Sequence, residues 1–81
     1  MKRKIFKTGK KYKVKLSFAK YGVDFFAGEV LIFVSDGYSH YDNGFGYLFR
    51  DGGGAEKTWW LHQDEPAGTW KKYFKAVGIF G

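Results

Sequence analysis

"FFAGEVLIFV" runs from Phe25 to Val34, and its centre is a Gly-Glu pair followed by five apolar residues without a break. Two readings compete. Glu29 is either an acid placed at a site, or part of a bend that launches a buried strand. The residues after it favour the bend. Successive side chains of a strand point to opposite faces. Val30, Ile32 and Val34 therefore share one face, and Leu31 and Phe33 share the other. Both faces are apolar, so each needs a cover. The predicted strand is Glu29 to Val34, and Asp36-Gly37 is predicted to turn the chain after it.

Upstream, Tyr12, Val14, Leu16 and Phe18 alternate with Lys13, Lys15 and Ser17. That is the pattern of a strand with one buried and one wet face. Thr8-Gly9-Lys10 reads as a turn before it, which lets Ile5-Phe6 dock back on the core. Ala19 to Ala27 breaks the alternation and reads as a structured loop, too long for a tight hairpin. Downstream, Asn43-Gly44 is a strong hairpin signal, because both residues tolerate positive φ. A two-residue turn there places Tyr41 across the bare backbone of Gly46, His40 opposite Tyr47 and Tyr38 opposite Phe49. A three-residue loop would change this register. Asp51 to Ala55 is a glycine-rich loop, and Lys57 to His62 a further strand. Near the end the period changes. Trp70, Tyr73, Phe74 and Val77 follow helical spacing, with Thr69 as N-cap and Gly78 as the residue after the C-cap. This short helix is a candidate cover for an apolar sheet face; a strand from Tyr73 to Ile79 is the competing reading.

The 81 residues fit one small β domain, residues 1–81. Eighteen aromatic residues, 22% of the chain, supply bulk for its core. There is no cysteine, which excludes disulfides and thiolate chemistry. The longest apolar run falls far short of the roughly 20 residues that span a bilayer. The reading is a cytoplasmic protein with no transmembrane segment.

The net charge of +6 is polarised. Residues 1–20 carry nine Lys or Arg and no acid, whereas residues 21–81 have a net charge of −3. Such a segment suits an anionic partner: an acidic protein, nucleic acid or a membrane surface. The competing reading makes it a solvated face whose lysines guard an edge strand.

"LSFAKYGVDFFAGEVLIF" resembles the start of an SH3-like barrel: a strand, a long irregular loop, then a Gly-Glu bend into the second strand. Leu16, Phe18, Phe26, Gly28, Glu29, Leu31 and Phe33 carry the resemblance. It implies that Gly28 supplies unusual backbone angles and that Glu29 makes local backbone hydrogen bonds. The implied fold is mainly β, a small SH3-like barrel of about five antiparallel strands with a short C-terminal helix. An OB-type barrel or an open α+β sheet are the alternatives. The proline-binding groove of that family does not carry over. Its Pro-x-x-Tyr is missing here, and Trp59-Trp60 falls late and within a strand-like run. The spacing Phe6, Gly9, Tyr12, Phe18, Gly28-Glu29, Tyr41-Asp42, Trp60-Leu61 and Tyr73-Phe74 also resembles short uncharacterised bacterial domain families, which implies no activity.

No catalytic constellation is legible. Ser39 and His40 are adjacent on a predicted strand, so they point to opposite faces and cannot pair directly. His40 reads as a partly buried ring among aromatics. Two isolated histidines lack metal-ligand spacing, and Gly52-Gly53-Gly54 lacks the Lys-Ser/Thr of a phosphate loop. No cofactor is implied. The expected function is a non-catalytic binding module for an acidic protein partner, such as a small bacterial accessory, inhibitor or immunity-type protein. Binding of single-stranded nucleic acid is the alternative. The candidate contact residues are Lys11, Lys13 and Lys15 on one strand face, and Tyr21, Tyr38 and Trp59 as exposed rings.

Overall fold

The computed structural model describes residues 5–77. Its strands are β1 (Lys11–Val14), β2 (Phe18–Lys20), β3 (Val23–Phe25), β4 (Val30–Ser39), β5 (Gly44–Arg50), β6 (Glu56–His62) and β7 (Phe74–Ala76). A 3₁₀ turn, Ala67–Thr69, leads into a one-turn helix, α1 (Trp70–Tyr73). Five strands form an antiparallel sheet in the order β6-β5-β4-β1-β7, while β2 and β3 pair separately. The fold is mainly β with one short C-terminal helix, and the large sheet is not closed.

The Gly-Glu bend acts as the sequence suggested. Gly28 has φ +91°, a conformation that L side chains rarely adopt. Its N–H donates to the Val14 carbonyl at 2.8 Å, and the Val14 N–H donates to the Glu29 carbonyl at 2.8 Å. Glu29 accepts the Phe26 N–H on Oε1 at 3.1 Å. It also holds the Lys57 ammonium of β6 at 2.8 Å. One residue thus shapes the bend and ties it to a distant strand.

The bend also ends the first ladder. Strand β1 stops at Val14, short of the predicted Phe18, and Leu16 is 40% exposed. The Lys15 N–H donates to the Tyr73 carbonyl at 2.7 Å, and the Ser17 hydroxyl accepts from the Ala27 N–H at 2.9 Å. The region read as an irregular loop is instead a tight hairpin, with Lys20 opposite Val23. Its turn residues, Tyr21 (φ 51°) and Gly22 (φ 79°), are both left-handed. That pair of angles matches the twist of a two-residue hairpin, but Tyr is an unusual residue to supply the first.

Strand β4 is longer than predicted. Asp36-Gly37 does not turn the chain; it pairs with Tyr47 and Gly46 of β5. A bulge between Phe33 and Ser35 absorbs Val34 and resets which side chains face inward. The hairpin loop holds four residues, His40 to Asn43, so Ser39 lies opposite Gly44 and Tyr38 opposite Phe45. The Ser39 hydroxyl donates to Asp42 Oδ2 at 2.9 Å and closes this wider loop. Tyr41 is 99% exposed and does not cover Gly46. Trp60 does, since a Cβ on Gly46 would lie 3.1 Å from its ring. His40 is exposed in the loop, edge-on to Tyr38 at 5.1 Å.

The helix predicted to Val77 ends after one turn. Phe74–Ala76 continues as a strand, with Val14 opposite Phe74 and Tyr12 opposite Ala76. Pairing satisfies the second side of β1, whose backbone groups would otherwise be left bare. Thr69 makes no side-chain cap, and Gly78 lies outside the described residues. Helix α1 closes the core side of the sheet: its Trp70 ring packs on Phe6 at 5.3 Å and on Tyr12 at 6.1 Å. Phe6 docks as expected at the centre, against Tyr12, Phe49, Tyr47 and Phe74. The core strands contribute Leu31, Phe33, Tyr47, Phe49, Trp59 and Leu61, each no more than 2% exposed.

Candidate interaction surface

The inner face of the large sheet is filled by aromatic rings, and no described element covers its outer face. Register assigns that face residue by residue, because directly opposed residues of antiparallel strands point the same way. From β7 inward, Lys75 lies opposite Lys13, and Lys13 opposite Val30. In the next row Lys11 lies opposite Ile32, Ile32 opposite Arg50, and Arg50 opposite Glu56. Beyond the bulge come Ser35, Leu48 and Thr58, then Gly37, Gly46 and Trp60. A lysine stripe thus borders an apolar ladder, which runs into a strip of small residues beside an indole.

The charges on this face divide into two kinds. Arg50 is neutralised by Glu56 at 2.9 Å. Lys11, Lys13 and Lys75 have no carboxylate partner among the described residues. Lys13 and Lys75 are directly opposed like charges, an arrangement that disfavours the fold slightly. Strand β1 is flanked on both sides, so its lysines are not edge guards. Lys15 is committed differently: its ammonium donates to the Lys71 carbonyl at 2.8 Å, at the end of α1. This caps a carbonyl that the short helix leaves open.

The predicted rings separate. Trp59 is fully buried and cannot meet a partner; its place on β6 opposite Tyr47 turns it inward. The indole on the other face is its neighbour Trp60, which is half-buried. Tyr21 is 63% exposed at the tip of the β2–β3 turn. Tyr38 is 41% exposed at the far end of β4, and its hydroxyl donates to Gln63 Oε1 at 2.8 Å. From Ile32, beside Lys11, to Tyr38 is six residues along β4, about 20 Å at strand rise. Tyr38 therefore does not join the lysines in one patch by way of the strand. Lys75, Trp60, Leu48 and Gly37 escaped sequence reading. Lys75 looked like the polar face of a helix, and Gly37 looked like a turn residue.

An open groove of about 350 Å³ lies on the outer face, lined by Ser35, Gly37, Gly46, Leu48, Thr58 and Trp60, with Asp36, Tyr38 and Ser39 at its margin. Its floor is the bare backbone of Gly37, and the opposed Gly46 lies under the Trp60 ring. The neighbouring polar groups serve the fold. Ser39 bonds Asp42 rather than a histidine. Burial pushes the Glu65 carboxyl up, but bonds from Lys20 and from the His62 N–H outweigh it and hold the group below its ordinary value. Among the described residues no group of three or more His, Asp or Glu side chains could hold a metal ion. No described helix is long and apolar enough to cross a membrane.

No protein-family model and no curated protein sequence matches this chain. Among solved structures it is similar to an integron cassette protein from the mobile metagenome of Vibrio cholerae. The two are 28% identical and superpose with a TM-score of 0.72, covering 90% of this chain and 90% of that one. The chain shares a small all-β fold with that cassette protein over nearly the whole length of both.

Proposed function

We propose that this chain is a non-catalytic binding module, built on an SH3-like arrangement, that engages an acidic protein through the outer face of its five-stranded sheet. One observation carries the reading: Lys11, Lys13 and Lys75, without carboxylate partners among the described residues, border Val30 and Ile32 on a face that no described element covers. Apolar contacts there would supply affinity, and the lysines would select an acidic surface and speed encounter. The SH3-like part rests on the bend, where Gly28 has φ +91° and Glu29 bonds the local backbone. The likeness to a cassette protein from a Vibrio cholerae mobile metagenome fits a bacterial source, and within that setting the proposal is a small accessory or inhibitor-type protein.

The test is retrieval of a stoichiometric partner from bacterial extract, followed by titration with the pure partner. Lys13→Glu with Lys75→Glu should weaken the complex about tenfold or more and flatten its salt dependence. Unchanged affinity places the interface elsewhere. Binding of single-stranded nucleic acid is the second reading, favoured by the same unneutralised lysines. It is less favoured because Trp59 is buried and Tyr38 lies about 20 Å from Lys11 along β4. If an oligo-dT strand leaves the Trp fluorescence unchanged at low salt, that reading is removed.

A further inference from the structure

Gly37 and Gly46 face one another across β4 and β5, and the two glycines differ in why they are there. Gly46 sits in a tight place, where a side chain would require the Trp60 ring to shift by a few tenths of an ångström. A Cβ on it would sit 3.1 Å from the Trp60 ring and 3.3 Å from Thr58. Gly37 does not. A Cβ there would meet nothing within 4 Å, and its φ is not left-handed. Glycine inside a strand weakens it, having no side chain to pack and more freedom to lose on folding. A β-branched residue would fit the conformation and the space. What glycine preserves at this position is the concavity itself, whose volume any side chain would occupy.

We propose that the groove over Gly37, beside Trp60 and Leu48, is an anchor pocket for one aromatic or aliphatic side chain of the acidic partner. This rests on the binding reading above and names the chemistry of its contact. Trp60 supplies a ring along one wall, and Leu48 and Thr58 supply apolar atoms beside the bare floor. A volume of about 350 Å³ is at the lower limit of small-ligand sites, and suits a single inserted side chain. Anchors of this kind concentrate binding energy when a pocket desolvates them. The lysine stripe fixes the rest of the partner's chemistry. Lys11 lies one strand over from Ile32, and Gly37 lies five positions further along β4 with one bulge between. The separation from Lys11 to the pocket is therefore about 15 to 20 Å, and Lys13 and Lys75 lie further out along the same face. An extended chain spans the distance to Lys11 in about five residues. The partner accordingly presents an apolar anchor roughly five positions from a cluster of Asp and Glu.

The experiment selects binders from a displayed library of random twelve-residue peptides on the immobilised chain. The best peptide is then titrated against variants. Enrichment of a large apolar residue four to six positions from an acidic cluster is expected. Gly37→Val should reduce affinity about tenfold or more while the melting temperature stays level or rises. Gly37→Ala should give a smaller loss, and it serves as the probe if the valine variant misfolds. Lys13→Glu with Lys75→Glu should weaken the same peptide independently. Wild-type affinity in both Gly37 variants overturns the pocket; if the lysine reversal still weakens binding, the acidic-partner reading stands without it. Peptides lacking the pattern, or no enrichment, overturn the pocket proposal. Tight binding of oligo-dT that ignores Gly37→Val and competes with the peptide overturns it in favour of nucleic acid.

Discussion

Glu29 illustrates how much one residue can carry in a chain of this size. Its carboxylate binds the backbone of its own bend and the ammonium of Lys57, and the two charged side chains are only 20% and 17% exposed. The Lys57 ammonium also reaches the Asp24 carbonyl and lies over the Phe25 and Phe26 rings. The bend was legible in the sequence because glycine before an acid is a local signal; the ion pair was not, since Lys57 lies 28 residues away. Gly28→Val should cost about 2 kcal/mol, because a branched side chain is forced into the left-handed region. Nothing lies within 4 Å of the new Cβ, so the penalty is one of backbone strain rather than collision. Glu29→Ala should cost a similar amount, about 1–3 kcal/mol, by leaving a half-buried ammonium poorly partnered. Urea denaturation checks both, and a wild-type midpoint for either variant would refute the bend as a structural device.

Among the elements, the β2–β3 hairpin is the clearest departure from sequence pattern. Hairpin turns of two residues favour Asn, Asp or Gly because both central φ angles are positive. Here Tyr21 takes φ 51° while leaving its ring 63% exposed. Tyr21→Asn keeps the turn and relieves the strain, so it should raise stability by about 0.5–1 kcal/mol. A fall in stability would mean that the Tyr21 ring contributes packing that its exposure does not suggest. The four-residue loop at His40 to Asn43 teaches the converse. Its Asn-Gly signal correctly announces a hairpin, yet the register is set by the core rather than by the turn. Phe45, Tyr47 and Phe49 must face inward opposite Leu61, Trp59 and Lys57, and the Ser39–Asp42 bond accommodates the longer loop. The terminal helix gives way for a similar reason. Trp70 and Tyr73 keep one turn, but Phe74 reaches the core only by joining β1 as a strand.

For the molecule as a whole, charged contacts join segments that are distant along the chain. Lys20 of β2 bonds Glu65 after β6 at 2.9 Å, and the Lys20 ammonium also lies 5.4 Å from the Trp59 ring. The folded Glu65 carboxyl titrates below its ordinary value of 4.5. The unfolded chain therefore binds more protons as pH falls through that range, and the contribution is complete above about pH 4.5 and is lost below it. The melting-temperature gap between wild type and Glu65→Gln should be present at pH 7 and shrink below about pH 4; a gap that does not change with pH would refute this linkage. Composition and local pattern were enough to establish a mainly β fold, an aromatic core with Phe6 docked into it, the Gly28-Glu29 bend and a basic first strand. They could not say that β1 lies between β4 and β7, that Lys75 joins the stripe, or that Trp60 rather than Trp59 faces outward. The physical reason is that a strand's side chains alternate with a period of two. Which set faces water depends on register, on the bulge at Val34 and on pairing between distant segments. Those are properties of the assembled sheet, and the candidate groove exists only once Gly37, Gly46 and Trp60 are brought together by it.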